Sequence, residues 1–543
     1  MSHFFSKLNF KKSLFPCAMF SVFFSFTIII GHSLFNYNTL DNLLIPKTFI
    51  KNLLLFLILA LGLTFFSILL LSFSNYLETK HSRMWCFFNH PWYFGILFFL
   101  CWLPCYLAYY PGIVSYDMDS QLPQILGTVA YSKYHPPLHT FLYQICHMLG
   151  NLTGFNDLVI YSISQMLLLA LAFAYLIRLF TILKVNNFVI LASIAFICLN
   201  PMIALFSFIP TKDVSFTICL IFYSVELCLF LKQNPSVTKN NFAMVRLICF
   251  GILCCLFRNN MIYAVILSAV ISLFLLRNRL KHLLICNGFI IIIYFLISGP
   301  LYSMLNVNPG NPREMLSIPI QQIASVCANN ADTLSQDTLD TLNQYLPVDE
   351  LNTLYNPRFA DPVKNTFNSE YFKENSSSFF EIWFELLKNH PEEYITAFLN
   401  LNLPYWYIDA PSLDSYSNRM YIETYIYSPS VTDYDVARDS KLPWLYEKYE
   451  VFANFYAIQK IPVISHIFSI SLPIWILLFT CTILIAKKRK PCIYVILPHI
   501  CYWLTFLLGP VSNLRYIFPI IAIYPLYVAL IINTQDFLPK TNK

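Results

Sequence analysis

The chain has 543 residues, of which 57% are hydrophobic and only 12% are charged. An average soluble domain carries roughly 25% charged residues, so this composition cannot cover a water-soluble surface and suits helices that face lipid. Gly is scarce, with 12 residues, which argues against a Gly-rich nucleotide-binding loop, and a net charge of +6 does not indicate a nucleic-acid partner. The composition predicts an all-α integral membrane protein in contact with the lipid bilayer.

Apolar runs of the length that crosses a bilayer, about 20 helical residues, recur along the chain. The predicted spans are 14–36, 52–74, 90–110, 157–182, 187–208, 213–231, 243–259, 260–277, 282–302, 463–486, 491–509 and 514–534. They make about twelve transmembrane helices. The run 137–150 is too short and too polar to span, with His139, Gln144 and His147 inside it, and is predicted to lie along the membrane interface.

Lys and Arg residues between the spans set the predicted orientation. With a cytoplasmic N-terminus, basic loops such as 232–246 and 487–490 face the cytoplasm, as the positive-inside rule requires. The same count places 111–156 and 303–462 outside. The predicted organisation is a transmembrane domain at 1–302 with a long outer loop at 111–156, a mainly helical extracytoplasmic domain at 303–462 with helices near 313–328 and 378–402, C-terminal transmembrane helices at 463–534, and a cytoplasmic tail at 535–543.

The first long outer loop contains two carboxylates, Asp117 and Asp119, followed by Gln121. Two carboxylates at the membrane surface can supply a general base and a ligand for a metal or an acceptor. The alternative is a solvated turn in which the Asp side chains cap the next helix, because Asp is common at helix N-termini.

Further polar residues fall where the topology places the outer ends of helices. A charge at a membrane boundary is costly enough to suggest function, and Arg or Lys there can hold a phosphate. The alternative for the Lys212–Asp213 pair and for Arg515 is an anchor for a helix end, and the alternative for His135 is an ordinary interfacial histidine. These residues are His135, Lys212, Asp213, Arg258, Asn259 and Arg515.

Taken in order, the motifs of this chain resemble those of a family of uncharacterised bacterial membrane proteins. The motifs are Tyr-Pro-Gly-Ile-Val-Ser-Tyr-Asp at 110–117 with Gln121, His-Pro-Pro at 135–137, Lys-Asp at 212–213, Arg-Asn-Asn at 258–260, the segment 313–322, His-Pro-Glu-Glu-Tyr at 390–394 with Tyr405 and Trp406, and Arg-Tyr-Ile-Phe-Pro at 515–519. That family is similar in layout to the GT-C superfamily of glycosyltransferases, and the resemblance runs from about residue 85 to residue 534.

The resemblance implies an enzyme of the cell membrane whose active site faces away from the cytoplasm. It would move a sugar from a polyprenyl-phosphate-linked donor to an envelope glycan, lipid or protein by an inverting displacement. Asp117 matches the essential acid of the superfamily's first outer loop, and Asp119 is the second candidate. The expected donor-phosphate ligands are His135, Lys212, Arg258 and Arg515, and the expected acceptor or supporting residues are Gln121, Asp213, Asn259, Gln321 and Trp406.

Several alternatives stay open from the sequence. A divalent cation, Mg²⁺ or Mn²⁺, would have to use Asp117 and Asp119, and two carboxylates are too few to define its site. A transporter or flippase for a lipid-linked or anionic precursor would also place charges among its helices. A glycan polymerase or ligase would use the same donors, and a non-catalytic scaffold would act through the outer domain.

Overall fold

The computed structural model describes residues 10–43, 45–79, 90–232, 241–276, 280–410, 422–426, 436–454, 457 and 460–532. The predicted cytoplasmic tail, 535–543, lies outside these residues. Within the described ranges the secondary structure is helical, and the β-type pairing consists of isolated bridges rather than strands. The predicted all-α class is therefore confirmed for the part of the chain that the structure describes.

The first half of the chain is a set of helices, most of them apolar. They are α1 (Phe10–Tyr37), α2 (Pro46–Thr79), α3 (Trp92–Ala108), α4 (Met118–Ile125), α5 (Pro137–Thr153), α6 (Asp157–Ile182), α7 (Asn187–Leu199), α8 (Pro201–Phe206), α9 (Lys212–Lys232), α10 (Asn241–Phe257), α11 (Met261–Leu275), α12 (Leu280–Leu296) and α13 (Tyr302–Met304). A π-helical turn at Ile297–Leu301 joins the last two.

Six helices among the described residues are long and apolar enough to cross a membrane. They are Ser13–Tyr37, Pro46–Glu78, Asp157–Ile182, Lys212–Lys232, Leu280–Met304 and Leu514–Ile532. Shorter apolar helices accompany them at Trp92–Ala108, Asn187–Leu199, Phe242–Phe257, Met261–Leu275 and Ser471–Ala486. This is the architecture of a polytopic membrane protein, as the composition predicts.

Three predicted spans differ in detail from the observed helices. The span 187–208 is two helices, because Asn200 caps α8 and Pro201 cannot donate the hydrogen bond that would continue α7. The span 463–486 becomes regular only at Ser471. The last span is interrupted at Ile523, just before Pro525.

The middle of the chain builds a second domain of short helices around its own apolar core. The helices are α14 (Ser317–Asn330), α15 (Gln336–Asn343), α16 (Leu351–Leu354), α17 (Asp361–Asn365), α18 (Ser369–Glu374), α19 (Ser376–Asn389) and α20 (Pro391–Leu401), and the short α21 (Leu403–Trp406) that follows packs against α1. Their core, which includes Ile320, Tyr345 and Phe379, is separate from the core of the membrane helices. The predicted helix 378–402 is broken at His390, because Pro391 starts a new helix there.

The chain then returns to the membrane helices through α22 (Pro443–Ala453), α23 (Ile464–Ile467), α24 (Ser471–Ala486), α25 (Lys490–Phe506), α26 (Leu514–Ala522) and α27 (Tyr524–Ile532). Backbone contacts attach the second domain to this last part: Ala360 N donates to Pro510 O at 2.9 Å, and Phe359 bridges Val511. On its other side, Arg358 Nη2 donates to Phe35 O of α1 at 3.0 Å. The turn 356–360 is thus held between α1 and the segment that leads into α26.

The close packing of α1 on Tyr407 gives a stability prediction. A Cβ at Gly31 would lie 2.2 Å from Tyr407 Cδ2, so Gly31→Ala is expected to destabilise the fold by about 1–3 kcal/mol through overpacking. Thermal unfolding in detergent measures this. Gly62→Ala is the matched control, because Gly62 also lies in a helix, has no atom within 4 Å of such a Cβ, and should become more stable by roughly 0.5–1 kcal/mol. An unchanged melting temperature for Gly31→Ala would contradict the packing.

Candidate functional site

Asp117 occupies the N-terminal boundary of α4 but does not cap it. Its backbone lies at the N-cap position, yet its side chain makes no capping hydrogen bond, and the residue is only 5% exposed. The alternative of a solvated capping Asp therefore does not describe this residue. A carboxylate removed from water in this way needs charged partners to remain ionised.

Three residues from distant parts of the chain surround the Asp117 carboxylate. Arg515 Nη1 donates to Oδ1 at 2.7 Å, and Lys212 Nζ lies 2.8 Å from Oδ2. His135 Nδ1 is 3.6 Å from Oδ1 and 3.2 Å from Lys212 Nζ. The structure thus brings together four of the residues that the sequence singles out, and we refer to Asp117, His135, Lys212 and Arg515 as the Asp117 cluster.

Both cations of the cluster begin a helix. Lys212 is the first residue of α9, and Arg515 lies in the first turn of α26, where Asn513 caps the helix by accepting from Arg515 N. A helix N-terminus carries partial positive charge, so a cation there is on the unfavourable end of the dipole. Helix anchoring alone does not account for these positions. With two cations, one carboxylate and two helix N-termini at one place, the cluster carries a net positive charge.

Burial and the neighbouring charges shift the pKa of the Asp117 carboxyl in opposite directions. Burial alone raises its pKa, but the cationic side chains of Arg515 and Lys212 hold the pKa well below its ordinary value. Burial, with the two nearby cations, lowers the pKa of His135 to about 3 even though Asp117 acts in the other direction. At neutral pH the cluster therefore contains an ionised Asp117 and a neutral His135.

Two hydrogen-bond donors of the cluster have no partner within the described residues. His135 Nδ1 faces the Lys212 ammonium and accepts from it, which leaves the proton of the neutral ring on Nε2. That Nε2 atom is buried without an acceptor, and Arg515 Nε is in the same state. A buried donor without an acceptor is costly, so these two atoms indicate a place for an anionic or oxygen-rich ligand.

A second ion pair lies beside the cluster. Arg258 donates to Asp213, and both side chains are buried. The Arg258 guanidinium lies 4.6 Å from the Tyr516 ring centre, and the Arg515 guanidinium lies 4.9 Å from the same ring. Tyr516 therefore contacts both guanidinium groups, and the Asp213–Arg258 pair positions one side of the site rather than presenting a free cation to it.

A buried hydrogen-bond chain fixes the loop that carries Asp117. Gln121 Oε1 lies 2.9 Å from His139 Nδ1, and His139 Nε2 lies 2.9 Å from Tyr161 Oη. Burial lowers the pKa of His139 to about 3, so the ring is neutral and can donate at one nitrogen and accept at the other. Gln121, predicted as a supporting residue, ties α4 to α5 and α6 in this way.

A family model described as a family of unknown function, DUF6020, matches residues 128–537. The match covers 410 of the 543 residues. The chain belongs to this family. The matched range includes His135, Lys212, Arg258 and Arg515, whereas Asp117 lies before its first residue. No curated protein and no solved structure matches the chain.

This DUF6020 chain also places residues at the site that sequence reasoning missed. Glu423 Oε2 accepts from Tyr116 N at 3.1 Å and from Tyr425 Oη at 3.3 Å, next to Asp117. Burial raises the pKa of Glu423, against the opposite effect of Arg515. Asp119, the second predicted acid, is partly exposed in the first turn of α4. In the sequence Glu423 is a single acid among tyrosines and isoleucines, and nothing in that pattern indicates its partner.

Three predicted supporting residues lie outside the Asp117 cluster. Gln321 donates to Asn356 O at 2.6 Å and so supports the turn that pairs with Val511. Trp406 accepts from Trp475 Nε1 through its carbonyl and packs against the α1 side of the bundle. Asn259 accepts from Ile262 N in the turn between α10 and α11. Each holds a neighbouring element of the fold in place.

The donor set around Asp117 fits an anion better than a divalent cation. Both carboxylate oxygens already lie within 2.8 Å of a Lys or Arg nitrogen, and these cations would repel a metal ion. The described residues contain no group of three or more His, Cys, Asp or Glu side chains placed to hold a metal ion. We therefore derive no step of the chemistry through Mg²⁺ or Mn²⁺.

Proposed function

We propose that this DUF6020 protein is a membrane glycosyltransferase that moves a sugar from a polyprenyl-phosphate-linked donor to an extracytoplasmic acceptor in the cell envelope. The observation that carries the proposal is the Asp117 cluster, in which one buried carboxylate meets Lys212 and Arg515 and two donors lack partners. A polyprenyl chain dissolves in the bilayer, so its phosphate reaches the protein at helix ends, where this cluster lies.

In this proposal Lys212, Arg515 and His135 bind the donor phosphate. The unpartnered His135 Nε2 and Arg515 Nε would each donate to a phosphate oxygen, and the Lys212 ammonium would add a second charge-assisted bond. These groups stabilise the negative charge that grows on phosphate as it leaves. Phosphate bound in this way replaces Asp117 as the main partner of the two cations.

That exchange changes the chemistry of Asp117. Once the cations are shared with phosphate, the carboxylate loses part of their stabilisation and gains a neighbouring negative charge, and both effects raise its proton affinity. Asp117 then takes the proton from the acceptor hydroxyl while that oxygen attacks the anomeric carbon. The bond from the anomeric carbon to the phosphate oxygen breaks, and phosphate departs with the electron pair. The single displacement inverts the configuration.

The acceptor would approach from the side of Asp119 and Glu423. Both carboxyls lie next to Tyr425, and Glu423 is fixed by Tyr116. Carboxylates suit the hydroxyl groups of a sugar, because they accept hydrogen bonds from donors that face outward from the ring. Asp213 would act indirectly, by holding Arg258 against Tyr516.

We further propose a GT-C-like layout of twelve spans with both termini in the cytoplasm and the Asp117 cluster at the outer face. The shorter apolar helices and Lys490–Phe506 would add to the six long ones, and α5 would lie along the interface with Ile145, Met148 and Leu152 toward lipid. Single cysteines introduced at exposed Ser120 and at Lys488 test this orientation in intact cells. A membrane-impermeant maleimide should label position 120 and not position 488, and the opposite pattern would refute the layout.

Phosphate recognition can be tested without knowing the sugar. Purified protein in nanodiscs is heated with farnesyl phosphate or with farnesol, which share the hydrocarbon chain and differ in the phosphate. We expect only farnesyl phosphate to raise the melting temperature, and we expect Lys212→Met to remove that shift. Equal stabilisation by farnesol would show that the cluster does not recognise phosphate.

Transfer is then distinguished from transport by the fate of the label. Proteoliposomes receive polyprenyl-phosphate sugars with a radiolabelled sugar and an envelope extract as the acceptor. A transferase moves the label covalently to the acceptor, while a flippase moves intact donor to the other leaflet without changing it. Retention of all label on the lipid, with movement between leaflets, would replace the proposed transferase by a transporter. EDTA in the same assay tests for a metal requirement.

The low pKa of His135 gives a prediction about pH. Because the folded-state pKa is about 3, below the ordinary 6.5, His135 stays neutral from pH 5 to pH 8 and contributes no titration there. His135→Gln keeps a hydrogen-bond donor, so it is expected to lower kcat/KM without changing the shape of its pH profile in that range. A limb near pH 6.5 that is present in the wild type and absent from the variant would show that His135 transfers a proton.

A further inference from the structure

A polar cavity of about 620 Å³ lies between the loop that follows α1 and the second domain. Its size falls within the roughly 300–1,000 Å³ of small-molecule sites. Tyr37 and Asp41 line it from the α1 side, while Tyr355, Glu392, Glu393 and Asn400 line it from the second domain. The residues of the Asp117 cluster are not part of this wall.

The cavity wall is acidic. Asp41, Glu392 and Glu393 contribute three carboxyls, and the lining residues that the structure describes include no Lys or Arg. Asp41 and Glu392 line the same wall, and the nearby Asp41 carboxylate raises the pKa of Glu392. A positive group on a ligand would relieve that repulsion, and a phosphate would increase it.

Glu393 and Asn400 present acceptor oxygens at the cavity wall. Glu393 Oε2 is held in place, since it accepts from Ser325 Oγ at 2.8 Å and from Asn329 Nδ2 at 3.1 Å. Asn400, which is only 1% exposed, donates through Nδ2 to Asn38 O at 3.1 Å, while its Oδ1 has no partner within the described residues. An orphaned, buried acceptor in a cavity wall indicates a ligand that brings its own donors.

We infer that this cavity binds a carbohydrate that carries a free amine. Hydroxyl groups of a sugar would donate to Glu393 and Asn400, the ammonium would lie between Asp41 and Glu392, and the rings of Tyr37 and Tyr355 would contact the apolar face of the sugar. That this sugar forms part of the acceptor rests on the proposed function. Its binding to the cavity does not. The arrangement separates an acidic site for the amine from a basic site for the phosphate.

Saturation-transfer NMR on the full-length protein in nanodiscs tests the inference with three disaccharides of similar size. They are the β-1,4-linked dimer of glucosamine, its di-N-acetylated form, and digalacturonate. We expect the strongest binding for the amine, weaker binding for the neutral sugar and none for the acid. The double variant Asp41→Asn/Glu392→Gln is expected to weaken binding of the amine by about fivefold, because two exposed charge pairs are lost.

Matched variants keep the test decisive. Asp41 and Glu392 are exposed, so their neutral isosteres should fold, and Glu385→Gln removes an exposed carboxyl outside the cavity without changing binding. Thr396→Trp should fill the cavity and abolish the signal. Equal binding of the amine and the acid, or undiminished amine binding in the double variant, would overturn the inference.

The proposed function and this inference fail separately. Asp117→Asn protein retains every residue of the cavity, so it should bind the amino sugar with wild-type affinity. If it does so while the wild-type protein transfers no sugar, the cavity stands and the transferase proposal falls. If the wild type transfers sugar but binds no amine-bearing disaccharide, the transferase stands and the cavity assignment falls.

Discussion

Asp117→Asn is expected to reduce sugar transfer by about 10²–10⁴-fold, the contribution of a positioned general base. Asparagine fits the same space but cannot take the acceptor proton. The substitution also removes the counter-ion of Lys212 and Arg515, which lie within 2.8 Å of the carboxylate. Leaving such buried cations without a carboxylate costs about 3–5 kcal/mol, so a lower melting temperature is expected as well. Transfer to an envelope acceptor and thermal unfolding measure the two effects.

A charge-balanced variant separates chemistry from stability. Asp117→Asn combined with Lys212→Met removes one negative and one positive charge, so the double variant should melt closer to the wild type than Asp117→Asn alone. It should remain inactive, because neither the base nor the phosphate ligand is restored. Recovery of transfer together with stability would mean that Asp117 only holds the fold together. Activity that persists in Asp117→Asn but disappears in Glu423→Gln would assign the base to Glu423.

Arg515→Lys is expected to lower kcat by about 10²–10³-fold, as removal of one preorganised donor to a developing anion does. Lysine keeps the charge but loses the planar group that contacts Asp117 through Nη1 and Tyr516 through Nη2. Because the leaving phosphate gains charge in the transition state, the effect should fall on kcat more than on KM. Initial rates over a range of donor concentrations measure both constants.

Arg313→Lys is the matched control for this substitution. Arg313 donates to Asn365 O in the second domain and lies outside the Asp117 cluster, so kcat should stay near the wild-type value. If Arg515→Lys changes only KM for the acceptor and leaves the stabilisation by farnesyl phosphate intact, Arg515 does not bind the donor.

The sequence predicted the helical class and several site residues for one physical reason. Charges are costly near a bilayer, so Lys212 and Arg515 stand out at the starts of apolar runs, and Asp117 stands out in a loop that follows one. The topology count placed these helix ends on one face. That argument predicts only that these helix ends lie near one another. The structure adds the contacts of Asp117 with Arg515 at 2.7 Å and with Lys212 at 2.8 Å.

Other features depend on tertiary contacts that no local pattern contains. Arg258 pairs with Asp213, which lies 45 positions away in the chain. The spacing of charges in the sequence does not show whether Arg258 is paired in this way or is free to bind a phosphate. Glu423 is a single acid among tyrosines and isoleucines, and its partner cannot be read from that pattern. Trp406 is an expected acceptor or supporting residue from the sequence, and its packing near α1 depends on tertiary contacts that the sequence does not show. The break at His390, by contrast, follows from Pro391 and was available in the sequence.

The turn 356–360 gives the second domain a direct mechanical link to the membrane helices. The amide of Ala360 donates a hydrogen bond to the carbonyl of Pro510, and only a few residues separate Pro510 from Arg515. Exchange of the second domain between related proteins should therefore include both this turn and residues 510–515. A chimera that joins the two pieces from different parents would shift the guanidinium relative to its carboxylate, even though every residue of the Asp117 cluster was retained.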